Sequence, residues 1–150
     1  LSHPEGLQYL KIPSQGNGYL MAEWHFYAAG PSKTNDKKRW TTGTAEEKHQ
    51  IKKSIKVAVD WQKKTGIYTW VGAWMPGDYN KGDNYSVKEQ TEFASFMTQQ
   101  LDKYGIPFAI NADDRFYDYQ AENWIPKYKD LLNRISCNIC HFCIGVFIIE

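Results

Sequence analysis

The chain has 150 residues, and its 18 lysines and arginines nearly balance its 17 aspartates and glutamates, so the formal net charge is +1. This length is enough for one domain core, and no basic block is dense enough to follow a nucleic-acid backbone. No stretch approaches the roughly 18 consecutive apolar residues of a membrane span. The first residues lack the basic-then-apolar pattern of an export signal, which leaves the localisation open. We therefore expect neither nucleic acid nor a membrane as a partner.

The first predicted element is a strand in the run LMAEWHFYAAGP, from Leu20 to Pro31. Residues 1–19 hold several prolines and glycines, which indicate an irregular lead-in. Within the run, Glu23, His25 and Tyr27 occupy every second position, and alternate side chains of a strand share one face. The pattern therefore predicts three polar groups along one wall of a site.

Two helices follow, and both begin with the same capping pattern. In a capping box, a hydroxyl residue and a glutamate three positions later each bond the other's backbone. A glycine then closes each predicted helix, and a near-continuous apolar run of the kind found in buried parallel strands follows at once. The boxes are Thr44 with Glu47 and Ser86 with Glu89, and the runs are GIYTWVGAWM (Gly66 to Met75) and GIPFAINAD (Gly105 to Asp113).

A third helix is predicted from Glu122 to Ile135, where apolar residues recur at helical spacing and Pro126 falls in the first turn. The alternating strands and helices predict βα units with a parallel sheet. A doubly wound sheet is the alternative, but its glycine-rich phosphate turn is absent from the sequence. Because a complete (β/α)8 barrel needs about 250 residues, we predict an α/β fold: a partial, half TIM barrel of three to four βα units over residues 1–135.

Three segments, in this order, resemble the C-terminal part of the catalytic barrel of glycoside hydrolase family 5, the cellulase-like enzymes. They are EWHFYAAGP, WQKKTGIYTWVGAWM and LDKYGIPFAINADDRFYD, which align with the sixth, seventh and eighth barrel strands within a match from about Leu7 to Ile135. The resemblance implies a retaining glycosidase that cleaves β-linked glucan or a related plant polysaccharide without a metal or other cofactor. The aromatic content of 15% fits this interpretation, because flat amphipathic rings suit sugar-binding clefts.

The resemblance also implies which residues bind the substrate. His25 and Tyr27, at the end of the sixth strand, would face the sugar. Asn111 aligns with a tryptophan that supports the sugar in the family, and Trp74 follows the nucleophile position and could face either the cleft or the helix layer. His25, Tyr27, Trp74 and Asn111 are therefore the predicted substrate-binding residues.

The catalytic carboxyl groups are the point at which the chain departs from the family. Retaining hydrolysis requires two carboxyl groups about 5 to 5.5 Å apart. The family's acid/base follows the fourth strand, outside the three segments, and Ala73 aligns with its nucleophile. Glu23 in an apolar barrel interior would favour the protonated acid, and Asp113 or Asp114 ends the eighth strand. We take Glu23, His25 and Asp113 as the candidate catalytic residues.

Structural roles are the alternative for these acidic residues: a buried, hydrogen-bonded Glu23 and aspartates that form turns or caps. Two other functions also stay open. One is a non-catalytic carbohydrate-binding or vestigial half barrel that kept the aromatic cleft. The other is an esterase-like hydrolase with His25 as base, which ranks lower because no serine stands in a nucleophile elbow.

The tail, residues 136–150, differs from the rest of the chain and lies outside the resemblance. Cys137 to His141 match the spacing of c-type haem attachment, but nothing around them resembles a haem fold, and the ligands are too tightly spaced for a typical zinc site. We predict no metal and no cofactor. The apolar tail and the open sheet edges predict an oligomer, either a dimer or a complement to a missing N-terminal half.

Overall fold

The structure is a computed structural model of the chain, and it describes residues 1–14, 18–26, 39–77, 85–111 and 113–137. A parallel sheet of three strands lies at its centre, in the order β1 (Met21–His25), β2 (Tyr68–Trp74) and β3 (Phe108–Ile110). Helix α1 (Ala45–Thr65) connects β1 to β2, and α2 (Val87–Lys103) connects β2 to β3. The predicted βα order and parallel pairing are confirmed, although each strand is shorter than the apolar run that contains it.

Both helices begin where the capping patterns place them. The Thr44 hydroxyl accepts a hydrogen bond from the Glu47 backbone N–H at 3.2 Å, and the Glu47 carboxylate accepts one from the Thr44 N–H at 2.8 Å. A second capping box, of Ser86 and Glu89, opens α2. At the other end of α1, Gly66 has the left-handed φ of 72° that favours glycine as a helix stop.

One hydrophobic core joins the sheet to the helices. Its largest fully buried side chains include Trp24 of β1, Trp74 of β2 and Phe93 of α2. The rings of Trp74 and Phe93 meet edge to face, with their centroids 6.0 Å apart. Burying one aromatic side chain stabilises a fold by about 1.5 to 3 kcal/mol. The buried rings therefore contribute to the free energy that holds the helices against the sheet.

The N-terminal lead-in is more ordered than the sequence predicts, because a 3-10 helix spans Pro4–Tyr9. Its Leu7 is fully buried in the core. Its Glu5 accepts hydrogen bonds from Ser54 of α1 at 2.8 Å and from Arg39 at 3.2 Å. Burial raises the pKa of Glu5, but the hydrogen bonds from its own backbone, Ser54 and Arg39 outweigh burial and lower the pKa. These long-range contacts are invisible in the local sequence.

The segment predicted as one helix from Glu122 to Ile135 is divided into three elements. Strand β5 (Asn123–Trp124) pairs with β4 (Tyr117–Asp118), a 3-10 turn spans Pro126–Tyr128, and α4 (Lys129–Cys137) follows. The prediction of a helical start at Glu122 is wrong because Trp124 pairs with a strand that itself follows the short helix α3 (Asp113–Phe116). The helical spacing holds only from the 3-10 turn onward.

The cysteine-rich tail beyond Cys137 lies outside the described residues, and the first two positions of the predicted tail, 136 and 137, belong to α4. Within the described ranges, no helix is long and apolar enough to cross a membrane. Across those same ranges, no group of three or more His, Cys, Asp or Glu residues is arranged to hold a metal ion.

Candidate functional site

Strand β1 divides its side chains between two faces. Ala22 and Trp24 are buried in the core, whereas Met21, Glu23 and His25 alternate with them and are at least partly exposed. Glu23 and His25 therefore share one face, which we call the open face of the sheet. Tyr27, the third residue of the predicted wall, lies outside the described residues.

Glu23 and His25 are in direct contact. The Nε2 atom of His25 lies 2.7 Å from Oε1 of Glu23, and the two side chains are 34% and 45% exposed, respectively. The expectation that Glu23 sits in apolar surroundings is therefore wrong for this structure. Among the described elements the sheet is not closed into a barrel, so solvent reaches the carboxylate directly. A solvated carboxylate beside an imidazole can exchange hydrogen bonds with a polar ligand such as a sugar hydroxyl.

Gly72 of β2 makes this contact possible. The Glu23 side chain lies across Gly72, and a Cβ atom at that position would overlap the Glu23 carboxyl group. A glycine within an apolar strand often marks the close approach of another group. This role was not predicted from the sequence, although the glycine between Val71 and Ala73 was the available signal.

Trp74 is on the side of the sheet that packs against the helices. It is fully buried, and its ring centroid lies 6.0 Å from that of Phe93 and 5.8 Å from that of Phe108. The register of β2 against β3 shifts between Val71 and Trp74. Val71 faces the core, and strict alternation along β2 would turn Trp74, three positions later, to the open face. A bulge adds one residue to β2 between them, so Trp74 faces the core as Val71 does. Of the two orientations that the sequence left open for Trp74, the structure has the one toward the helix layer.

The remaining candidates lie at or near the end of the sheet where the strands finish at His25, Trp74 and Ile110, which we call the carboxyl edge. Ala73 pairs with His25 in register and is 5% exposed, so a methyl group stands beside the Glu23 and His25 pair. Asn111 follows β3, is half-buried, and donates its backbone N–H to the Trp74 carbonyl at 2.8 Å.

The two aspartates lie one step further along the chain. Asp113 begins α3 just after the carboxyl edge, and its side chain is outside what the structure describes. Asp114 is exposed. The site that the described side chains build is therefore one carboxylate and imidazole pair, whereas retaining glycoside hydrolysis needs a second carboxyl group about 5 to 5.5 Å from the first.

Solved structures of cellulose-related proteins share this fold. The chain is similar to an endoglucanase, with a TM-score of 0.60 and 18% identity over 87% of this chain and 44% of the other. It is also similar to the cellulose synthase subunit Z of Clostridioides difficile, with a TM-score of 0.64 and 15% identity over 89% and 45% of the two chains. A family 5 lichenase from Caldicellulosiruptor sp. F32 gives a TM-score of 0.67 and 17% identity over 91% and 40%.

The chain thus spans 40 to 45% of the length of these structures. No protein-family model matches the chain, and no curated protein sequence matches it. At identities of this size the likeness concerns the fold. A mixed α/β fold with a parallel sheet, spanning less than half of the cellulase chains, is consistent with the predicted partial barrel.

Proposed function

We propose that this chain is part of a cellulase-like glycoside hydrolase that acts on β-linked glucan or a related plant polysaccharide. The observation that carries the proposal is the partly exposed pair of Glu23 and His25 on the open face, near the carboxyl edge of the sheet. The fold of the chain is similar to that of an endoglucanase and of a lichenase. In parallel α/β folds, ligands bind beyond the carboxyl ends of the strands.

Each candidate residue except the buried Trp74 has a role in this proposal. The His25 imidazole contacts a sugar hydroxyl, and the Glu23 carboxylate orients the imidazole and takes part in proton transfer. Tyr27, which follows β1 in the sequence, and Asn111, which follows β3, contact the sugar. Asp113, or a residue outside the described ranges, supplies the second carboxyl group that retaining chemistry requires.

The proposal predicts that glycosidase activity depends on both members of the pair. Removing a general acid or base lowers a rate by about 10² to 10⁴-fold. We expect the release of new reducing ends from soluble β-glucan to fall at least a hundredfold in Glu23→Gln and His25→Ala. Glu46→Gln and His49→Ala, which change the same residue types on exposed positions of α1, are the matched controls and should keep the parent rate.

Equal activity in the parent, Glu23→Gln and His25→Ala would contradict the proposal, because the chemistry would then lie elsewhere. Light scattering and a thermal melt of each variant exclude loss of the fold as the cause.

A second candidate is a non-catalytic protein that binds β-glucan. Ala73 favours it, because a methyl group stands next to the Glu23 and His25 pair where the resemblance aligns the nucleophile. Binding of β-glucan without new reducing ends, weakened by His25→Ala but not by His49→Ala, would support this candidate over the hydrolase.

A further inference from the structure

A cluster of three aromatic rings lies on the hairpin that follows β3. Tyr117 of β4 is at its centre, with its ring centroid 5.2 Å from that of Tyr119 and 6.1 Å from that of Trp124. Both contacts are edge to face. Tyr119 is 43% exposed, and Tyr117 and Trp124 are half-buried. We call the segment that carries these rings, residues 117–124, the aromatic hairpin; its pairing was not predicted from the sequence.

The aromatic hairpin has a well-defined local structure. Its strands pair Tyr117 with Trp124 in antiparallel register. In its turn, Oδ1 of Asp118 accepts hydrogen bonds from the backbone N–H groups of Gln120 at 2.9 Å and of Ala121 at 3.0 Å. Rings held on such a frame lose little conformational entropy when they bind a ligand.

The frame is also attached to the core. The ring of Phe116, immediately before the hairpin, is buried against Tyr128 with centroids 4.8 Å apart. The Phe116 carbonyl accepts a hydrogen bond from the Ile125 N–H at 3.0 Å. The hairpin is therefore anchored at both of its ends.

The contacts of α3 place the aromatic hairpin beside the carboxyl edge. Nη2 of Arg115 lies 3.3 Å from Sδ of Met75, which directly follows β2. Phe116 borders Gly77 in the same loop. The hairpin therefore follows directly on α3, and α3 packs on the residues just after the end of β2. This is the edge of the sheet where parallel α/β folds bind ligands.

The chemistry of the aromatic hairpin favours a neutral, polyhydroxylated ligand. Tyrosine and tryptophan each combine a flat apolar face with a polar group at the rim, which matches the apolar faces and equatorial hydroxyls of a β-linked pyranose. From Phe116 to Pro126 the chain contains Asp118 and Glu122 and no lysine, arginine or histidine, and Arg115 and Lys127 flank this segment. Arg115 contacts Met75 and Lys127 lies over the Tyr128 ring, so the segment that carries the three rings has no basic group of its own for an anion.

We infer that the aromatic hairpin is an additional saccharide subsite, which binds a pyranose ring of a β-glucan chain extending from the Glu23 and His25 pair. The inference rests on the proposed function, because it takes the ligand to be a β-linked glucan. It adds a binding surface on a hairpin that follows β3 and Asn111 in the chain.

The test is calorimetric titration with a β-glucan hexasaccharide and, separately, with a disaccharide too short to span two subsites. We expect Tyr119→Ala to raise the Kd for the hexasaccharide about tenfold, since it removes the most exposed ring of the cluster. Tyr119→Phe should stay within about threefold of the parent. Tyr104→Ala is the matched control, because Tyr104 is 36% exposed and precedes β3 at the opposite end of the sheet.

The disaccharide separates a subsite from a general effect on the fold, because its Kd should be the same in the parent and in Tyr119→Ala. If the parent binds the hexasaccharide and Tyr119→Ala binds it equally well, the subsite is overturned and the proposed function stands. If the parent binds neither saccharide, both the proposed function and the subsite are overturned. If Tyr119→Ala weakens both saccharides equally, the separate subsite is overturned as well.

Discussion

Gly72 is the residue on which the geometry of the candidate pair depends. The Glu23 side chain lies across Gly72 of β2 and from there reaches His25. A Cβ atom at position 72 would occupy the space that the Glu23 side chain fills. Glu23 is an exposed and flexible side chain, so an added methyl group at position 72 would displace it rather than distort the strand. The displacement would break the hydrogen bond to His25.

We therefore expect Gly72→Ala to lower the free energy of unfolding by about 0.5 to 1 kcal/mol, the value of a part-exposed pair. In a Glu23→Ala background the same change should be neutral or stabilising by about 0.5 kcal/mol, because alanine restricts the unfolded chain more than glycine does. Urea denaturation of the four proteins of this double-mutant cycle measures the difference. An equal cost in both backgrounds would show that Glu23 does not occupy the space above Gly72.

At the scale of elements, the first turn of α1 carries a contact that depends on the charge of a carboxylate. The Glu47 carboxylate accepts hydrogen bonds from the backbone N–H groups of Thr41, Gly43 and Thr44, each at 2.8 Å. Burial raises the pKa of Glu47, but the hydrogen bonds from Thr41, Thr44 and Gly43 outweigh it and lower the pKa below its ordinary value. The ionised form therefore stabilises the folded state.

The sign of the pH dependence follows from this lowered pKa. The stabilisation is fully present above the ordinary glutamate value of about 4.5 and is lost as the pH falls through the lower pKa of the folded state. We expect Glu47→Gln to cost about 1 kcal/mol at pH 7, with the difference from the parent shrinking below pH 4.5. Thermal melts from pH 7 to pH 3 measure this.

Glu46→Gln is the control for this experiment, because it removes the same charge from the same turn, where Glu46 instead accepts a hydrogen bond from Gln50 at 2.6 Å. A loss of stability in Glu46→Gln as large as that in Glu47→Gln would point to the helix dipole and not to the carboxylate cap.

At the scale of the whole molecule, the open face of the sheet leaves apolar surface in contact with solvent. Met21 and Tyr68 pair in register across β1 and β2, and they are 52% and 71% exposed. On the other edge of β1, the Leu1 carbonyl accepts a hydrogen bond from the His25 N–H at 2.6 Å, so this edge accepts main-chain pairing. Apolar faces and strand edges of this kind promote association.

We propose that two copies of the chain associate through the Met21 and Tyr68 end of the open face, which leaves the Glu23 and His25 pair near the carboxyl edge accessible to substrate. Light scattering should give at least twice the mass of one chain for the parent and the mass of one chain for Tyr68→Lys, which places a charge beside Met21 at the start of the central strand. Tyr104→Lys, at the end of α2, should associate as the parent does. A single-chain mass for the parent over a hundredfold range of concentration would contradict self-association and favour completion by a separate half of a barrel.

Much of this architecture was predictable because its signals are local. A capping box lies within four residues, and a buried parallel strand is a continuous apolar run, so the starts of α1 and α2 and the order of the parallel strands follow from the sequence. The parity of β1 likewise placed Glu23 and His25 on one face. The pairing of Trp124 with Tyr117 was not predictable. Trp124 happens to fit the helical spacing of the apolar residues after Pro126, so the sequence pattern assigns it to the helix.

The sequence by itself determined the βα order, the helix boundaries at Thr44 and Ser86, and which residues of β1 share a face, because each depends on neighbours along the chain. Only the tertiary structure decided that a bulge turns Trp74 toward α2, that Gly72 leaves space for Glu23, and that aromatic rings gather beside the carboxyl edge. Those features depend on contacts between residues distant in sequence, whose geometry is set when the sheet and the helices pack together.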